Sequence, residues 1–243
     1  KGEILKDGDI EASAIEYFGA SAVELIRPKF TQALPENISG GALLLIQEYY
    51  DEEGMYALLE KWSVYLDNHG FDVASENAAN IWVGLDEKTE EKFRHFRHMI
   101  PETMNEKVAR NTAMGFKDDP RYKEMRKIAT DFIVPHDNFL RSLQLYAQLL
   151  QTPGLGERGV EFYIFGHIGD SHVHVNYIPQ TIEDFTILVA AFKGLVEKMI
   201  FLGASLSGEH GVGRIKAPYL EMVFGVEIYK QMKAVKDALD PKG

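Results

Sequence analysis

Three histidines that could bind a metal ion lie close together in the stretch FGHIGDSHVHVNY. They are His167, His172 and His174. Because side chains alternate along a strand, His172, His174 and Asn176 would share one face of an extended segment. Residues 169–171 have the composition of a turn, which could bring His167 back beside His174. The pattern predicts that imidazole side chains from both sides of a turn lie close together.

A second group of reactive side chains lies in SGEHGVGRIK, residues 207–216. Glu209 and His210 are adjacent there, and Gly208 and Gly211 flank them. Small flanking residues leave room for a ligand and for unusual backbone angles. Two histidines and one glutamate form a well-known ligand set for a catalytic divalent metal, with open positions for substrate. His210 would then be free to move protons, because histidine is the side chain whose ordinary pKa lies nearest neutrality.

Both patterns also have a simpler interpretation. A histidine on a strand is often structural, and GVGRIK is also typical of a turn that leads into a helix. This stretch lacks the G-x-x-x-x-G-K-[ST] spacing of a phosphate-binding loop, which argues against nucleotide binding. Residue spacing alone therefore leaves a metal site and a structural cluster open.

Composition excludes several classes of function. The chain has 243 residues, 45% of them hydrophobic, which is enough for a packed core in one large domain or two small ones. The net charge of −11 argues against nucleic acid and anionic membrane as partners. An anionic substrate therefore requires a local cationic site. The absence of cysteine excludes disulfides, cysteine-ligated zinc and iron–sulfur clusters within this sequence.

Long-range sequence signals are few. No apolar run approaches the roughly 20 residues of a transmembrane helix, and there is no signal-peptide pattern. No G-x-G-x-x-G fingerprint for a dinucleotide follows a predicted strand. Both ends of the chain look like cuts in a larger protein. We therefore expect a cytoplasmic protein, with peripheral membrane association of the full-length chain left open.

The elements that would position the two reactive groups alternate between helix and strand. Helices are predicted over residues 11–27, 52–69, 86–110, 137–151, 181–202 and after Pro218, strands over 42–50, 71–75, 160–177 and 204–207, and an irregular segment over 111–126. Asp51, and Thr181 with Asp184, are typical helix N-terminal capping residues. A strand, a helix and a strand follow one another at 42–75 and again at 172–207. This repeat predicts an α+β fold whose two halves share an antiparallel sheet.

The two motifs together resemble a known family. GHIGDSHVHVN, residues 166–176, is similar to the G-H-x-G-D-G-N-x-H-x-N motif of FAD-linked oxidases of the vanillyl-alcohol-oxidase superfamily. SGEHGVGRIKAPYL is similar to the S-G-E-H-G-[IV]-G-x-x-K signature of the same family. Weaker similarity extends through KIATDFIVP and the final helix. The members that it most resembles are D-lactate dehydrogenase, the glycolate oxidase flavoprotein subunit and D-2-hydroxyglutarate dehydrogenase.

The resemblance implies a role for residues in both motifs. His167, His174 and Glu209 would be the metal ligands. His210 would be the general base, and Asn176 would contact the substrate.

Three further positions follow from the same resemblance. Arg97, in KFRHFRH, lies where the family often has an arginine that binds the substrate carboxylate, and the alternative is a solvated residue on a charged helix. His172 replaces an asparagine of the family motif on the ligand-bearing face, where it could contact substrate or alter metal preference. Ser171 replaces the second glycine of that motif.

The resemblance also implies a fold and a reaction. Residues 1–243 would form the family's C-terminal domain, an antiparallel sheet with flanking helices that resembles two fused ferredoxin-like halves, and the FAD-binding domain would lie upstream. A D-2-hydroxy acid would be oxidised to a 2-oxo acid while zinc or manganese lowers the pKa of the substrate hydroxyl. Hydride would pass to FAD and electrons then to an acceptor protein or a quinone. Nothing in the sequence indicates the oligomeric state.

Alternatives from other classes remain open at this point. A metal-dependent hydrolase could use the same histidines and glutamate with a bound water. A non-catalytic α+β binding module could hold the same histidines for structural reasons. An enzyme resembling alkyl-glycerone-phosphate synthase would share the fold and the flavin but lacks this metal pattern.

Overall fold

The computed structural model describes residues 10, 12–30, 34, 40–71, 81–155 and 159–242, and it confirms an α+β fold. Its antiparallel sheet has the strand order β2-β1-β4-β5-β3. The strands are β1 (Ala14–Phe18), β2 (Ala42–Ile46), β3 (Ile128–Ala129), β4 (Glu161–His167) and β5 (His172–Ile178). The helices are α1 (Ala20–Ile26), α2 (Glu52–Asn68), α3 (Glu87–Gly115), α4 (Phe139–Leu149), α5 (Ile182–Phe201), α6 (Gly213–Lys216) and α7 (Leu220–Leu239).

Several helix boundaries follow from capping residues that the sequence identifies. The Asp51 side chain accepts a hydrogen bond from the backbone N–H of Gly54 at the start of α2. Thr181 and Asp184 form the predicted reciprocal capping box at the start of α5. Each cap satisfies backbone N–H groups that have no partner within the helix. In the described part of the chain, no helix is long and apolar enough to cross a membrane.

One face of the sheet packs against α4 and α5. Val173, Val175 and Tyr177 of β5 are buried there together with Leu188 of α5. The Tyr177 hydroxyl donates a 2.8 Å hydrogen bond to the carbonyl of Tyr146 in α4. The prediction that these three residues of β5 turn towards the core is therefore confirmed.

The opposite face of the sheet packs against α1 and α3. Phe18 of β1 and Ile178 of β5 are buried there with Ile26 of α1 and with Ile100 and Met104 of α3. This is also the face to which the histidines of β5 belong, because they alternate with the residues that face α4 and α5. The helix α3 therefore lies on the same side of the sheet as the histidines.

The prediction of one helix over residues 11–27 is wrong. Residues 14–18 form β1, and α1 begins only after Gly19. The β-branched and aromatic residues of AIEYF favour a strand, and β1 pairs with β2 on one side and with β4 on the other. These partners come from distant parts of the chain, so the helical spacing of the apolar residues was misleading.

Other element boundaries differ from the predictions. The strand predicted over 42–50 ends at Ile46, and α3 continues through residues 111–115, which were expected to be irregular. Residues 204–207 form no ladder, and Ser205 makes only an isolated bridge with Ile133. The strand predicted over 71–75 falls, except for Phe71, outside the described residues.

Candidate metal centre

A tight turn between β4 and β5 brings the three histidines together. His167, the last residue of β4, pairs directly with His172, the first residue of β5. The ring centroids of His167 and His172 are 5.6 Å apart, those of His172 and His174 are 4.7 Å apart, and those of His167 and His174 are 6.0 Å apart. The predicted turn over residues 169–171 is confirmed, and it places imidazoles from both strands on one face.

The turn depends on a left-handed residue. Ser171 has φ = 54° and ψ = 32°, a conformation that is uncommon outside glycine. Its backbone N–H donates to the carbonyl of Ile168, and its Oγ lies 3.3 Å from Nδ1 of His136. The side chain thus contributes a contact that glycine would not provide at this position.

The carboxylate of Glu209 is the point on which the imidazoles converge. Its Oε1 lies 2.9 Å from Nε2 of His174 and 3.1 Å from Nε2 of His210, and its Oε2 lies 3.3 Å from Nε2 of His167. One possible ligand atom from each of His167, His172, His174 and Glu209 lies within 4.8 Å of the other three. The structure therefore brings together all of the predicted ligands.

The centre is closed on the side of the sheet and open towards solvent. His174 is buried, whereas 43% of the Glu209 side chain and 65% of the His210 side chain are exposed. The ring centroid of His210 lies 5.1 Å from that of His174. An incoming small molecule can reach Glu209 and His210 without any rearrangement of the buried histidines.

The protonation of the cluster suits metal binding. Burial lowers the pKa of His174, the adjacent His172 lowers it further, and the opposing effect of Glu209 is smaller. His174 is therefore neutral at neutral pH and has a lone pair available for a metal. Burial raises the pKa of Glu209, but the imidazoles of His174 and His167 lower it more, so this carboxyl is ionised.

Asp131 joins the two motifs, and the sequence patterns did not identify it as a site residue. It is 3% exposed, and its carboxylate accepts hydrogen bonds from Nε2 of His172 at 2.9 Å, Oγ of Ser207 at 2.9 Å and Nζ of Lys216 at 2.6 Å. It also accepts from the backbone N–H groups of residues 209 and 210 at 3.2 and 3.1 Å. The available signal was a single acidic residue within the apolar stretch IATDFIVP.

The charge of Asp131 is stabilised by these partners. Burial would raise the pKa of this carboxyl, but hydrogen bonds from Lys216, Ser207 and the amide of Glu209 outweigh burial and hold the pKa well below its usual range. Asp131 is therefore an anion that only accepts hydrogen bonds. It follows that Nε2 of His172 carries a proton and donates a hydrogen bond to the Asp131 carboxylate.

Gly208 allows the second motif to approach the first. A Cβ atom at this position would lie 2.4 to 2.9 Å from three atoms of the His172 ring. Real side chains do not pack at such distances, so any substitution would push His172 or the loop away. The glycine before Glu209 is thus explained by the buried ring beneath it.

Glu16 is a second buried carboxylate that the sequence patterns did not identify as a site residue. It lies on β1 and is 3% exposed. Its Oε2 lies 2.8 Å from Nε of Arg97, and its Oε1 lies 3.6 Å from Nδ1 of His167. The ion pair holds Arg97 of α3 beside the carboxylate that also faces His167, and the substrate-binding role of Arg97 stays a prediction. A lone acidic residue within the apolar strand AIEYF was the only signal in the sequence.

Two predicted substrate contacts lie at the inner end of the centre. Asn176 is buried on the same face of β5 as His174, and its side chain makes no hydrogen bond to another described residue. His172 is also buried, and its Nε2 is engaged by Asp131. That either residue contacts substrate stays a prediction, and the bond to Asp131 favours a supporting role for His172.

The chain is similar in sequence to one protein family and to several named enzymes. The family described as FAD linked oxidases, C-terminal domain, matches residues 19–243. The chain is 42% identical over 80 residues to the glycolate oxidase subunit GlcD of Bacillus subtilis, covering 32% of this chain and 17% of that protein.

Two further relatives carry related names. The chain is 37% identical over 87 residues to D-lactate dehydrogenase of Archaeoglobus fulgidus, covering 35% of this chain and 19% of that protein. It is 37% identical over 95 residues to D-2-hydroxyglutarate dehydrogenase of Stutzerimonas stutzeri, covering 37% of this chain and 20% of that protein. The matches span no more than a fifth of the length of these three relatives. Together with the family match, they confirm the resemblance that the two motifs indicated.

Proposed function

Because the chain belongs to the family of FAD-linked oxidase C-terminal domains, we propose that it is the metal- and substrate-binding part of a flavin-dependent dehydrogenase of D-2-hydroxy acids. The observation that carries this proposal is the convergence of His167, His174 and His210 on the carboxylate of Glu209. The names of the relatives, which refer to glycolate, D-lactate and D-2-hydroxyglutarate, support a small 2-hydroxy acid as the substrate.

The donor set fits a divalent ion. His167 and His174 offer imidazole nitrogens and Glu209 offers a carboxylate oxygen, a combination that zinc and manganese both accept. A metal bound there would act as a Lewis acid on the substrate hydroxyl. The open side beside Glu209 would let the hydroxyl and carboxylate of a 2-hydroxy acid reach such an ion.

The charge balance supports the same conclusion. Among the side chains that the structure describes, the three carboxylates of Glu16, Asp131 and Glu209 are accompanied by two paired cations, Arg97 and Lys216. The neutral His174 does not offset the excess negative charge, which by itself would repel an anionic substrate. A divalent ion held by His167, His174 and Glu209 would reverse the sign of the local charge and would attract a carboxylate.

The residues of this chain have separate tasks in the proposed reaction. Arg97, oriented by Glu16, pairs with the substrate carboxylate, and the buried amide of Asn176 hydrogen-bonds the substrate. The imidazole of His210, a side chain that is 65% exposed at the mouth of the centre, accepts the proton of the substrate hydroxyl. FAD bound by an upstream domain would supply the acceptor for the hydride from C2, and residues 1–243 would form a single C-terminal domain. Reoxidation then requires an acceptor protein or a quinone.

Metal analysis tests this proposal. The wild-type chain should retain one divalent ion after purification, and His174→Ala should retain far less, because the mutation removes a buried ligand. The matched control is His95→Ala, which changes an exposed histidine of α3 and should keep the full metal content. Equal metal content in the wild type and His174→Ala, measured by elemental analysis, would remove His174 from the ligand set.

A further inference from the structure

The segment that contains Asp131 lies between the two motifs. On one side, the backbone N–H of Thr130 donates to the carbonyl of Val175, next to the histidines of β5. On the other side, the backbone N–H of Gly208 donates to the carbonyl of Asp131, and Ser205 donates to Ile133. The two motifs are far apart in sequence, and this segment connects them through main-chain hydrogen bonds on both sides.

The side chain of Asp131 makes the same connection more strongly. Its Oδ1 accepts from His172 and from the amide of residue 209, and its Oδ2 accepts from Ser207, Lys216 and the amide of residue 210. One buried carboxylate therefore fixes both the histidine strand and the loop that carries Glu209 and His210. Burying a charge lowers stability unless the charge is fully paired, and replacing such a group with apolar residues is often neutral or stabilising. The need for a stable core does not explain an anion at this position.

We propose that Asp131 is a positioning residue of the proposed metal centre, which holds the Glu209–His210 loop against His172 and is itself anchored by Lys216. This inference rests on the proposed function for its chemical consequence, although the contacts themselves involve residues of this chain alone. Asp131 sets the tautomer of His172 and the backbone position from which the Glu209 carboxylate meets His167 and His174. Partners of this kind orient the ligands of a metal, and their loss typically weakens metal affinity by about 10–100-fold.

The test compares two buried aspartates in the 243-residue chain. Asp131→Asn keeps the shape of the side chain but removes its charge. Asp184→Asn is the matched control, because Asp184 is fully buried in the capping box of α5, away from the two motifs. Both mutations should lower thermal stability, so stability alone does not separate a positioning role from a structural one.

Two measurements separate these roles. The first is hydrogen exchange of the backbone amides of residues 209 and 210 without metal. These amides should exchange at least about tenfold faster in Asp131→Asn, since a hydrogen bond to a charged group is lost, and at the wild-type rate in Asp184→Asn. The second is titration with Co²⁺, whose visible spectrum reports coordination geometry. Asp131→Asn should bind about 10–100-fold more weakly with an altered spectrum, and Asp184→Asn should match the wild type.

The outcomes distinguish this inference from the proposed function. Unchanged exchange of residues 209 and 210 in a folded Asp131→Asn overturns the inference, as does unchanged Co²⁺ affinity. If the wild type itself binds no Co²⁺, the proposed metal centre is wrong, and the exchange measurement still decides whether Asp131 holds the loop. If Asp131→Asn does not fold, Lys216→Met takes its place, because Lys216 lies at the edge of the centre and should show the same two changes to a smaller extent.

Discussion

The two faces of β5 are buried to a similar degree but contact very different groups. Val173, Val175 and Tyr177 pack against α4 and α5 in an apolar core. His172, His174 and Asn176 face the opposite way, and His172 and His174 contact the carboxylates of Asp131 and Glu209. The apolar face gains free energy from removing its side chains from water. The polar face gains little, because each buried polar group must first recover the hydrogen bonds that it loses to water.

This difference separates residues that hold the fold from residues that carry the chemistry. A strand covered on both sides could be apolar on both faces, as buried strands often are. In β5 the polar residues are instead concentrated beside the loop that brings Glu209 and His210. We therefore expect mutations on the two faces to have opposite signatures, with stability lost on one face and metal binding or turnover lost on the other.

The largest expected effect is on catalysis, at His210. In the enzyme assembled with its flavin, His210→Asn should lower kcat by about 10²–10⁴-fold, the usual range for loss of a general base. Stability and metal content should change little, because 65% of this side chain is exposed and His210 lies outside the predicted ligand set. Steady-state kinetics with a D-2-hydroxy acid and a dye acceptor measures the effect, and His98→Asn on the exposed side of α3 is the control. A near-normal kcat in His210→Asn would contradict the assignment.

The next effect is on stability, at the apolar face. Tyr177→Ala should lower the free energy of unfolding by about 3–5 kcal/mol, as large buried aromatic residues typically do. Tyr177 is fully buried and also donates a hydrogen bond to the Tyr146 carbonyl. Tyr56→Ala, on the exposed side of α2, is the same substitution where 60% of the residue is accessible, and it should cost less than about 1 kcal/mol.

Denaturant titration measures both tyrosine variants, and Co²⁺ binding is measured below the unfolding transition. Folded Tyr177→Ala should bind Co²⁺ as the wild type does, because its side chain points away from the centre. A loss of metal affinity as large as that of His174→Ala would show that the two faces are not separable.

The predictable part of the molecule is local in sequence. The turn between β4 and β5 follows from residues 169–171, and the start of α5 follows from Thr181 and Asp184. Both features are decided by groups within a few residues of one another. The ligand-bearing face of β5 could be predicted for the same reason, since alternation along a strand depends only on neighbouring positions.

The parts that the sequence did not predict depend on distant partners. Residues 14–18 form a strand because β2 and β4 flank them, and their apolar spacing suits a helix equally well. Asp131 and Glu16 acquire their roles from Lys216 and Arg97, each about 80 residues away in the chain. Short motifs locate groups that react, whereas the buried charges that support them are found only when the pairing of distant segments is known.

The smallest expected effect lies at the turn that joins the two strands. Ser171→Gly would relieve a left-handed conformation that costs a non-glycine residue about 1–2 kcal/mol. The substitution would also remove the contact with His136. In addition, glycine gives the unfolded chain more conformational freedom, which lowers the free energy of unfolding by about 0.5–1 kcal/mol. These terms nearly cancel, so the free energy of unfolding should change by less than about 1 kcal/mol, and Co²⁺ affinity should stay the same. Ser171→Val places a β-branched side chain at the same φ and should be clearly less stable than both the wild type and Ser171→Gly. If Ser171→Gly instead weakened Co²⁺ binding strongly while the protein stayed folded, the serine hydroxyl itself would be needed to place His167 beside His174, and the turn would belong to the chemical part of the molecule.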